Sequence, residues 1–235
     1  MKTIGLIGGM SWESSIEYYR IINQVTREKL GGLHSARSVM VSVDFAEIEE
    51  LQDGGQWEEA TEMMVATAQQ VERGGADLIL ICTNTMHKMA PEVQAAINVP
   101  LLHIADATGQ KIKAQGLETV GLLGTRFTME ENFYKGRLER LHGLEVLTPD
   151  SEQREMINQV IYTELVVGEK LPESKAAFVE VLDSLVAAGA EGIVLGCTEI
   201  PLLVGQGDTN VPVFDTTFIH ASTAVEIALG LSPLP

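Results

Sequence analysis

The sequence predicts an α/β protein of two similar domains, each a small parallel sheet flanked by helices, the two related by a pseudo-two-fold repeat. Three recurring segments carry this reading. Thr3-Ile4-Gly5-Leu6-Ile7-Gly8 returns as Thr119-Val120-Gly121-Leu122-Leu123-Gly124, 116 residues later. Gly75-Ala76-Asp77-Leu78-Ile79-Leu80-Ile81-Cys82-Thr83 resembles Gly189-Ala190-Glu191-Gly192-Ile193-Val194-Leu195-Gly196-Cys197-Thr198, with the cysteines 115 apart. Asn98-Val99-Pro100-Leu101-Leu102 matches Asn210-Val211-Pro212-Val213-Phe214 more weakly, at an offset of 112. Segments matched in one order at nearly constant offset indicate a duplicated unit.

Each copy opens with a short apolar run of strand type that ends in a glycine loop. A hydroxyl residue able to cap a helix follows (Ser11, Thr128), and then a stretch of helical spacing. Helices are expected over about 14–30, 57–73, 131–141, 154–167 and 173–188, and the segment 33–36 is read as a loop. Strands that alternate with helices imply parallel sheets joined by crossovers. The apolar, Ala-rich stretch 220–231 is expected to be a helix packed back on the first domain. The expected domains are therefore 1–108 with 217–235, and 109–216.

A chain of 235 residues suffices for two modest domains, each with a core. With 16 Lys and Arg against 33 Asp and Glu, the net charge of −17 argues against nucleic acid and anionic membrane as partners. No apolar run reaches the roughly 20 residues of a spanning helix. The opening MKTIGLIGGM has too short an apolar stretch for a signal peptide and reads better as a strand. A cytoplasmic location is expected, where two cysteines are thiols rather than a disulfide.

Cys82 and Cys197, the only cysteines, each follow a buried-type strand and precede a hydroxyl-rich turn, Cys82-Thr83-Asn84-Thr85 and Cys197-Thr198-Glu199. Ligands of parallel α/β sheets bind at the carboxyl ends of the strands, so both thiols stand where a site is expected. Two thiols suit removal of a proton from one face of a carbon and delivery to the other. A free thiol pKa of about 8.5 lets modest tuning supply a thiolate and a thiol together, and either can serve as base or acid. Neighbouring Thr, Asn and backbone N–H groups would hold a carboxylate and spread developing charge. A lone strand-end cysteine is more often core; two at equivalent places in a repeat reverse those odds. A metal site would need more Cys and His at short spacing, with only His87 near either cysteine, and no C-x-x-C suggests a redox pair.

Ile79-Leu80-Ile81-Cys82-Thr83-Asn84-Thr85-Met86-His87 and Ile193-Val194-Leu195-Gly196-Cys197-Thr198-Glu199-Ile200-Pro201 resemble the two cysteine signatures of the aspartate/glutamate racemase family. Gly5-Leu6-Ile7-Gly8-Gly9-Met10-Ser11 looks like its aspartate-racemase branch. Met10-Ser11-Trp12-Glu13-Ser14, the stretch 102–108 and Phe214-Asp215-Thr216 are most similar to the broad-specificity amino-acid racemase subgroup. The resemblance spans essentially the whole chain. It implies two α/β domains with the active site at their interface, no pyridoxal phosphate or metal cofactor, and frequent homodimers. Carried over by position, Cys82 and Cys197 are the catalytic acid/bases. Met10, Asn84 and Thr85 would line the substrate, with Thr83 and Thr198 beside them and Gln52 closing the pocket. Thr125, the repeat partner of Gly9, is a further candidate for carboxylate binding.

Aspartate-selective relatives resemble this chain but carry basic residues where Glu49 and Val166 stand here. An acidic side chain would then lack a cation and be costly to desolvate, so neutral or polar uncharged amino acids are the expected substrates. Glutamate racemases differ in an Asp-Ser where Met10-Ser11 stands. Hydantoin racemases, maleate isomerases and arylmalonate decarboxylases are rivals of the same architecture, and a non-catalytic binding protein is a rival of another class. The loop Gly5-x-x-Gly8-Gly9 lacks dinucleotide spacing. Neither Lys88 nor Lys135 sits in a pyridoxal-phosphate context. His87 reads as an aide to Cys82 or a surface residue at a helix start, and Glu199 as a partner of Cys197 or a helix-start acid. Trp12 and Tyr18 read as packing or as a roof over the pocket.

Overall fold

The computed structural model describes all 235 residues, Met1–Pro235. The chain divides into two compact units, Met1–Ile104 with His220–Pro235, and Ala105–Ile219. The first part of the chain forms β1 (Ile4–Gly8), α1 (Trp12–Leu30), β2 (Ser38–Ser42), α2 (Phe45–Asp53), α3 (Trp57–Arg73), β3 (Leu78–Ile81) and α4 (Ala90–Ala95). Next come α5 (Ile104–Lys113), β4 (Thr119–Gly124), α6 (Arg126–Glu130), α7 (Lys135–His142), β5 (Glu145–Leu147), α8 (Ser151–Thr163) and α9 (Pro172–Ala187). The chain closes with β6 (Gly192–Gly196), β7 (Val213–Asp215) and α10 (Thr216–Ala228). No helix is long and apolar enough to cross a membrane.

The first unit holds a three-stranded sheet in the order β2-β1-β3, parallel throughout. β1 and β3 are buried along their whole length, as parallel strands covered on both faces must be. Ile7, Ile79 and Ile81 pack against Met64, Ala68 and Val71 of α3 and Ile48 of α2. Ser11 caps α1 by accepting from the Ser14 N–H at 3.3 Å, which satisfies one of the open donors of the first turn. α1 buries Tyr18, Ile21, Ile22 and Val25, the i, i+3, i+4, i+7 stripe of a core-facing helix.

The second unit holds a four-stranded parallel sheet in the order β5-β4-β6-β7. Leu123, Ile193 and Leu195 pack with Ile157 and Ile161 of α8 and with Phe178, Val181 and Leu182 of α9.

The internal repeat is visible bond by bond. The Asp77 carboxylate accepts from the Thr3 N–H at 2.6 Å, and the Asp77 N–H donates to the Thr3 carbonyl at 2.8 Å. Glu191 repeats both bonds on Thr119, at 3.1 Å and 2.9 Å. The weakest sequence match marks a fourth strand position: Ile79 donates to the Pro100 carbonyl and Ile193 to that of Pro212. In the second unit this becomes β7; in the first it stays a single bridge, Ile79 to Leu101.

Helix boundaries shift where capping chemistry decides them. The helix expected from 154 begins at Ser151, because Asp150 and Gln153 form a reciprocal capping box. It ends at Thr163, and Leu165–Val167 tighten into a 3-10 turn closed by Gly168 at φ 81°. The helix expected from 131 is replaced by the short α6 and by α7, since Glu131 is extended and ends α6. β2, α2 and β5 were not anticipated: β2 is partly exposed, and α2 buries only Ile48 and Gln52.

Two glycines shape the loops that follow the strands. Gly9 has φ +93°, and a Cβ there would lie 2.0 Å from the Val43 carbonyl oxygen. At Gly196 a Cβ would approach the Leu123 carbonyl oxygen to 2.8 Å, so only glycine allows β6 to end so close to β4. Replacing Gly9 by Ala combines an unfavourable φ with this clash. Urea unfolding of Gly9→Ala is expected to show a loss of more than about 1 kcal/mol, whereas an unchanged midpoint would mean that the loop relaxes freely.

Candidate active site

In the first unit Cys82 directly follows β3. Its N–H donates to the Ile7 carbonyl at 2.9 Å, and its own carbonyl accepts from Ser14 Oγ at 2.9 Å. The β1 and β3 backbones and the first turn of α1 therefore fix the position of this cysteine. Its side chain is 1 % exposed, and burial pushes the thiol pKa well above its ordinary range, because the thiolate would lose its hydration.

The chain then turns through Thr83 and Asn84 into a 3-10 segment, Thr85–Met89. Thr83 is half-buried, while Asn84 and Thr85 are buried. Met10, two residues past β1, is buried in the same apolar cluster as Met86 and Ile48. Gln52 projects from α2, and its Nε2 donates to the Met86 sulfur at 3.1 Å. The ends of β1 and β3 and the α2 helix thus hold Met10, Gln52 and Cys82 to Thr85 within one unit.

Sequence reasoning missed what lies beneath this turn. His87 is not at the surface but 1 % exposed. Its Nδ1–H donates to the Thr83 carbonyl at 2.7 Å, and its Nε2 accepts from the Ile104 N–H at 3.2 Å. That pattern defines a neutral ring with one donor and one acceptor. His103 and His220 lie close by, one ring tilted and the other edge-on, with ring centroids 4.6 and 5.6 Å from that of His87. His220 Nε2 donates to the Leu102 carbonyl at 2.9 Å, and its Nδ1 accepts from Tyr18 Oη at 2.8 Å. Tyr18 is accordingly core, fully buried, while Trp12 is 63 % exposed. Residues from 18, 87 and 220 meet here, a convergence that no repeat or local spacing announces.

In the second unit Cys197 follows β6 as Cys82 follows β3. Gly124 and Gly196 are register partners, so Thr125 and Cys197 leave adjacent strands at the same end. Thr125 caps α6, accepting from the Thr128 N–H at 3.4 Å, and its Oγ lies 3.2 Å from Thr128 Oγ1. The Leu195 carbonyl accepts from Thr216 Oγ1 at 2.8 Å, a support for β6 that the sequence did not reveal. Thr198 and Glu199 are both buried. Cys197 Sγ donates to Glu199 Oε2 at 3.0 Å, and Thr198 Oγ1 donates to the same oxygen at 2.7 Å. Burial, followed by the charge of Glu199, holds the Cys197 thiol well above its ordinary pKa. Glu199 is thus both a buried partner of Cys197 and the residue that opens the 3-10 turn Ile200–Leu202.

Both cysteines are free thiols. No three His, Cys, Asp or Glu side chains are grouped to hold a metal ion. Positions 49 and 166 carry Glu and Val, both partly exposed, and neither supplies a cation.

The chain matches the family model described as Asp/Glu/Hydantoin racemase over residues 7–224, and it belongs to that family. A crystal structure of a candidate Asp/Glu racemase from Yersinia pestis is 55 % identical, with TM-score 0.92, over 97 % of this chain and 100 % of that one. An aspartate racemase homologue from Pyrococcus horikoshii is 37 % identical, with TM-score 0.84, over 97 % and 100 % of the two chains. The broad specificity amino-acid racemase RacX of Bacillus subtilis is 27 % identical over 176 residues, 74 % of each chain.

The buried His220 makes stability pH-dependent. Burial lowers the pKa of His220 well below 6.5, with neighbouring His87 adding to the effect. Between the unfolded and folded pKa values the unfolded chain binds the extra proton, so stability falls as pH drops below about 6.5, by at most ~1.4 kcal/mol per unit and group. Urea midpoints measured downward from neutrality should decline along this limb, and His220→Gln should flatten it. An equal slope in the variant would remove His220 as the cause.

Proposed function

We propose that this chain is a cofactor-independent amino-acid racemase in which Cys82 and Cys197 are the two acid/base groups acting on opposite faces of the substrate α-carbon. The observation that carries the reading is the repeat itself: the only two cysteines, both buried thiols, each follow a fully buried strand of a parallel sheet. One thiolate removes the α-proton, a thiol on the other side protonates the carbanion, and the reverse reaction exchanges their roles. Because burial favours both neutral thiols, the thiolate is the scarce species, and forming it is part of the barrier.

Met10, Asn84 and Thr85, with Thr83, Thr198, Thr125 and Gln52, are proposed to surround the substrate. Hydroxyl, amide and backbone N–H donors of this kind hold a carboxylate and stabilise charge that develops on it. Broad specificity is supported by the likeness to RacX and by the side chains at positions 49 and 166, which bring no cation for a distal carboxylate. The likeness to an aspartate racemase homologue supports aspartate as the second reading. The acidic charge balance fits a small-molecule substrate rather than nucleic acid or membrane, and a cytoplasmic setting keeps the thiols reduced. A homodimer is proposed through the exposed apolar strip Trp12, Ile16, Tyr19, Leu33 and Met40.

Incubation with a panel of L-amino acids in deuterated water, with no cofactor added, should show α-proton loss by NMR together with inversion. Neutral substrates should exceed aspartate in kcat/KM. Cys82→Ser and Cys197→Ser should each reduce racemisation at least about 10²-fold. Aspartate as best substrate would reverse the specificity reading, and no exchange with any amino acid would move the function to another acid or to binding. Light scattering on an eluting peak is expected to give twice the chain mass, and a monomer would remove the dimer.

A further inference from the structure

We propose that Glu199 is the proton acceptor of Cys197, so that the two side chains form a dyad that generates the thiolate internally. The inference rests on the reading of Cys197 as an acid/base and concerns how its charge is made.

Geometry comes first. Cys197 Sγ lies 3.0 Å from Glu199 Oε2, and Thr198 Oγ1 donates to that same oxygen at 2.7 Å. Glu199 Oε1 is buried and has no hydrogen-bond partner. Glu199 is 4 % exposed and Cys197 8 %, and Cys197 packs with Leu195, Ile200, Leu203 and Val204. A carboxylate held in an apolar wall with one oxygen unsatisfied is costly as a purely structural element. Here every protein donor it receives comes from Cys197 or its neighbour.

In the dyad Glu199⁻ and Cys197–SH share one proton and one negative charge. When the S–H bond breaks and an O–H bond forms on Oε2, the charge moves to sulfur and the pair's net charge does not change. Burial therefore penalises this transfer far less than loss of the proton to water, which would place two negative charges side by side. The thiolate then takes the substrate α-proton, leaving Cys197–SH and Glu199–COOH, while Cys82–SH delivers its proton to the carbanion and becomes a thiolate. With the other enantiomer the same steps run backwards. The two free-enzyme forms carry equal numbers of protons and one negative charge each, and water returns the proton from the dyad to Cys82 after release.

The two halves of the repeat differ at this position. Asn84 stands where Glu199 stands in the second copy, and the turn after Cys82 is tied instead to the neutral ring of His87. Cys82 thus has no carboxylate two residues on, and the dyad assigns the resting charge to the Cys197 side.

The test separates acidity from rate. In the Cys82→Ser background Cys197 is the only thiol, and its ultraviolet thiolate absorbance can be titrated with and without Glu199→Gln. Removing the carboxylate charge should lower the titration midpoint of Cys197. In the otherwise unchanged protein the same substitution should lower kcat at neutral pH about 10²-fold, with partial recovery at high pH, where solvent alone supplies the thiolate. Glu199→Asp should retain more activity than Glu199→Gln. A thiol that becomes more acidic in a slower enzyme is the signature of the lost acceptor, and a loosened structure would not produce it. An unchanged or raised midpoint, or a kcat within twofold of the original, would overturn the proposal. If no amino acid is racemised at all, the titration still decides whether the pair shares its proton, so failure of the dyad and failure of the racemase reading are told apart.

Discussion

In each unit two buried neighbouring strands, β1 with β3 and β4 with β6, are locked in parallel register, and that register decides where the chemistry stands. Ile7 opposite Ile81 leaves Cys82 as the next residue of its strand line. Gly124 opposite Gly196 does the same for Cys197. A slip of one residue would turn each side chain to the other face of its sheet. The devices around the strands guard against such a slip. Asp77 and Glu191 pin the strand starts, Ser14 and Thr216 hold carbonyls at or near the strand ends, and fully buried apolar runs allow no alternative face.

That anchoring sets the electrostatic problem of the proposed reaction. Thiols placed at the ends of fully buried strands are themselves buried, and burial favours the neutral form. For a lone sulfur this would simply yield an inert core cysteine. The environment after each strand departs from that outcome through polar groups: Thr83, Asn84 and Thr85 in one unit, Thr125, Thr198 and Glu199 in the other. A low dielectric strengthens such groups as well as penalising charge. The same burial that suppresses the thiolate therefore makes a nearby donor or acceptor more effective once charge forms.

Much of this was legible in the sequence, and the reason is duplication. Two copies of one strand–loop–helix unit turn a weak local pattern into a comparison, and the comparison located β1, β3, β4, β6 and both cysteines. Even the drift of the offset has a structural meaning: the connection after Cys197 is three residues shorter than that after Cys82, yet 98–102 and 210–214 reach the same sheet position. What stayed illegible was assembled from distant pieces. The contact of Tyr18 with His220 spans 202 residues, and the placement of His87 beneath the first turn depends on where α1 and α10 pack. β2 lies at a sheet edge, partly exposed, and carries too little apolar periodicity to declare itself. The helix over 154–167 was misplaced at its start because a capping box, not apolar spacing, begins it.

The repeat also shows where the halves have parted. Both turns keep Cys-Thr, but the next residue is Asn in one and Glu in the other, and neutral imidazole packs under the first where a carboxylate engages the second. For a reaction that interconverts mirror images the overall equilibrium constant is one, so asymmetry in the protein cannot favour a product. It can only decide where charge and protons wait between turnovers. Two neutral buried thiols with no carboxylate beside them would have to obtain their thiolate by losing a proton to solvent. In the proposed dyad one carboxylate beside one thiol confines a single negative charge, which moves between oxygen, sulfur and substrate without being created afresh. In the proposed mechanism the Asn/Glu difference follows from symmetrical chemistry assigned to groups too deeply buried to ionise alone.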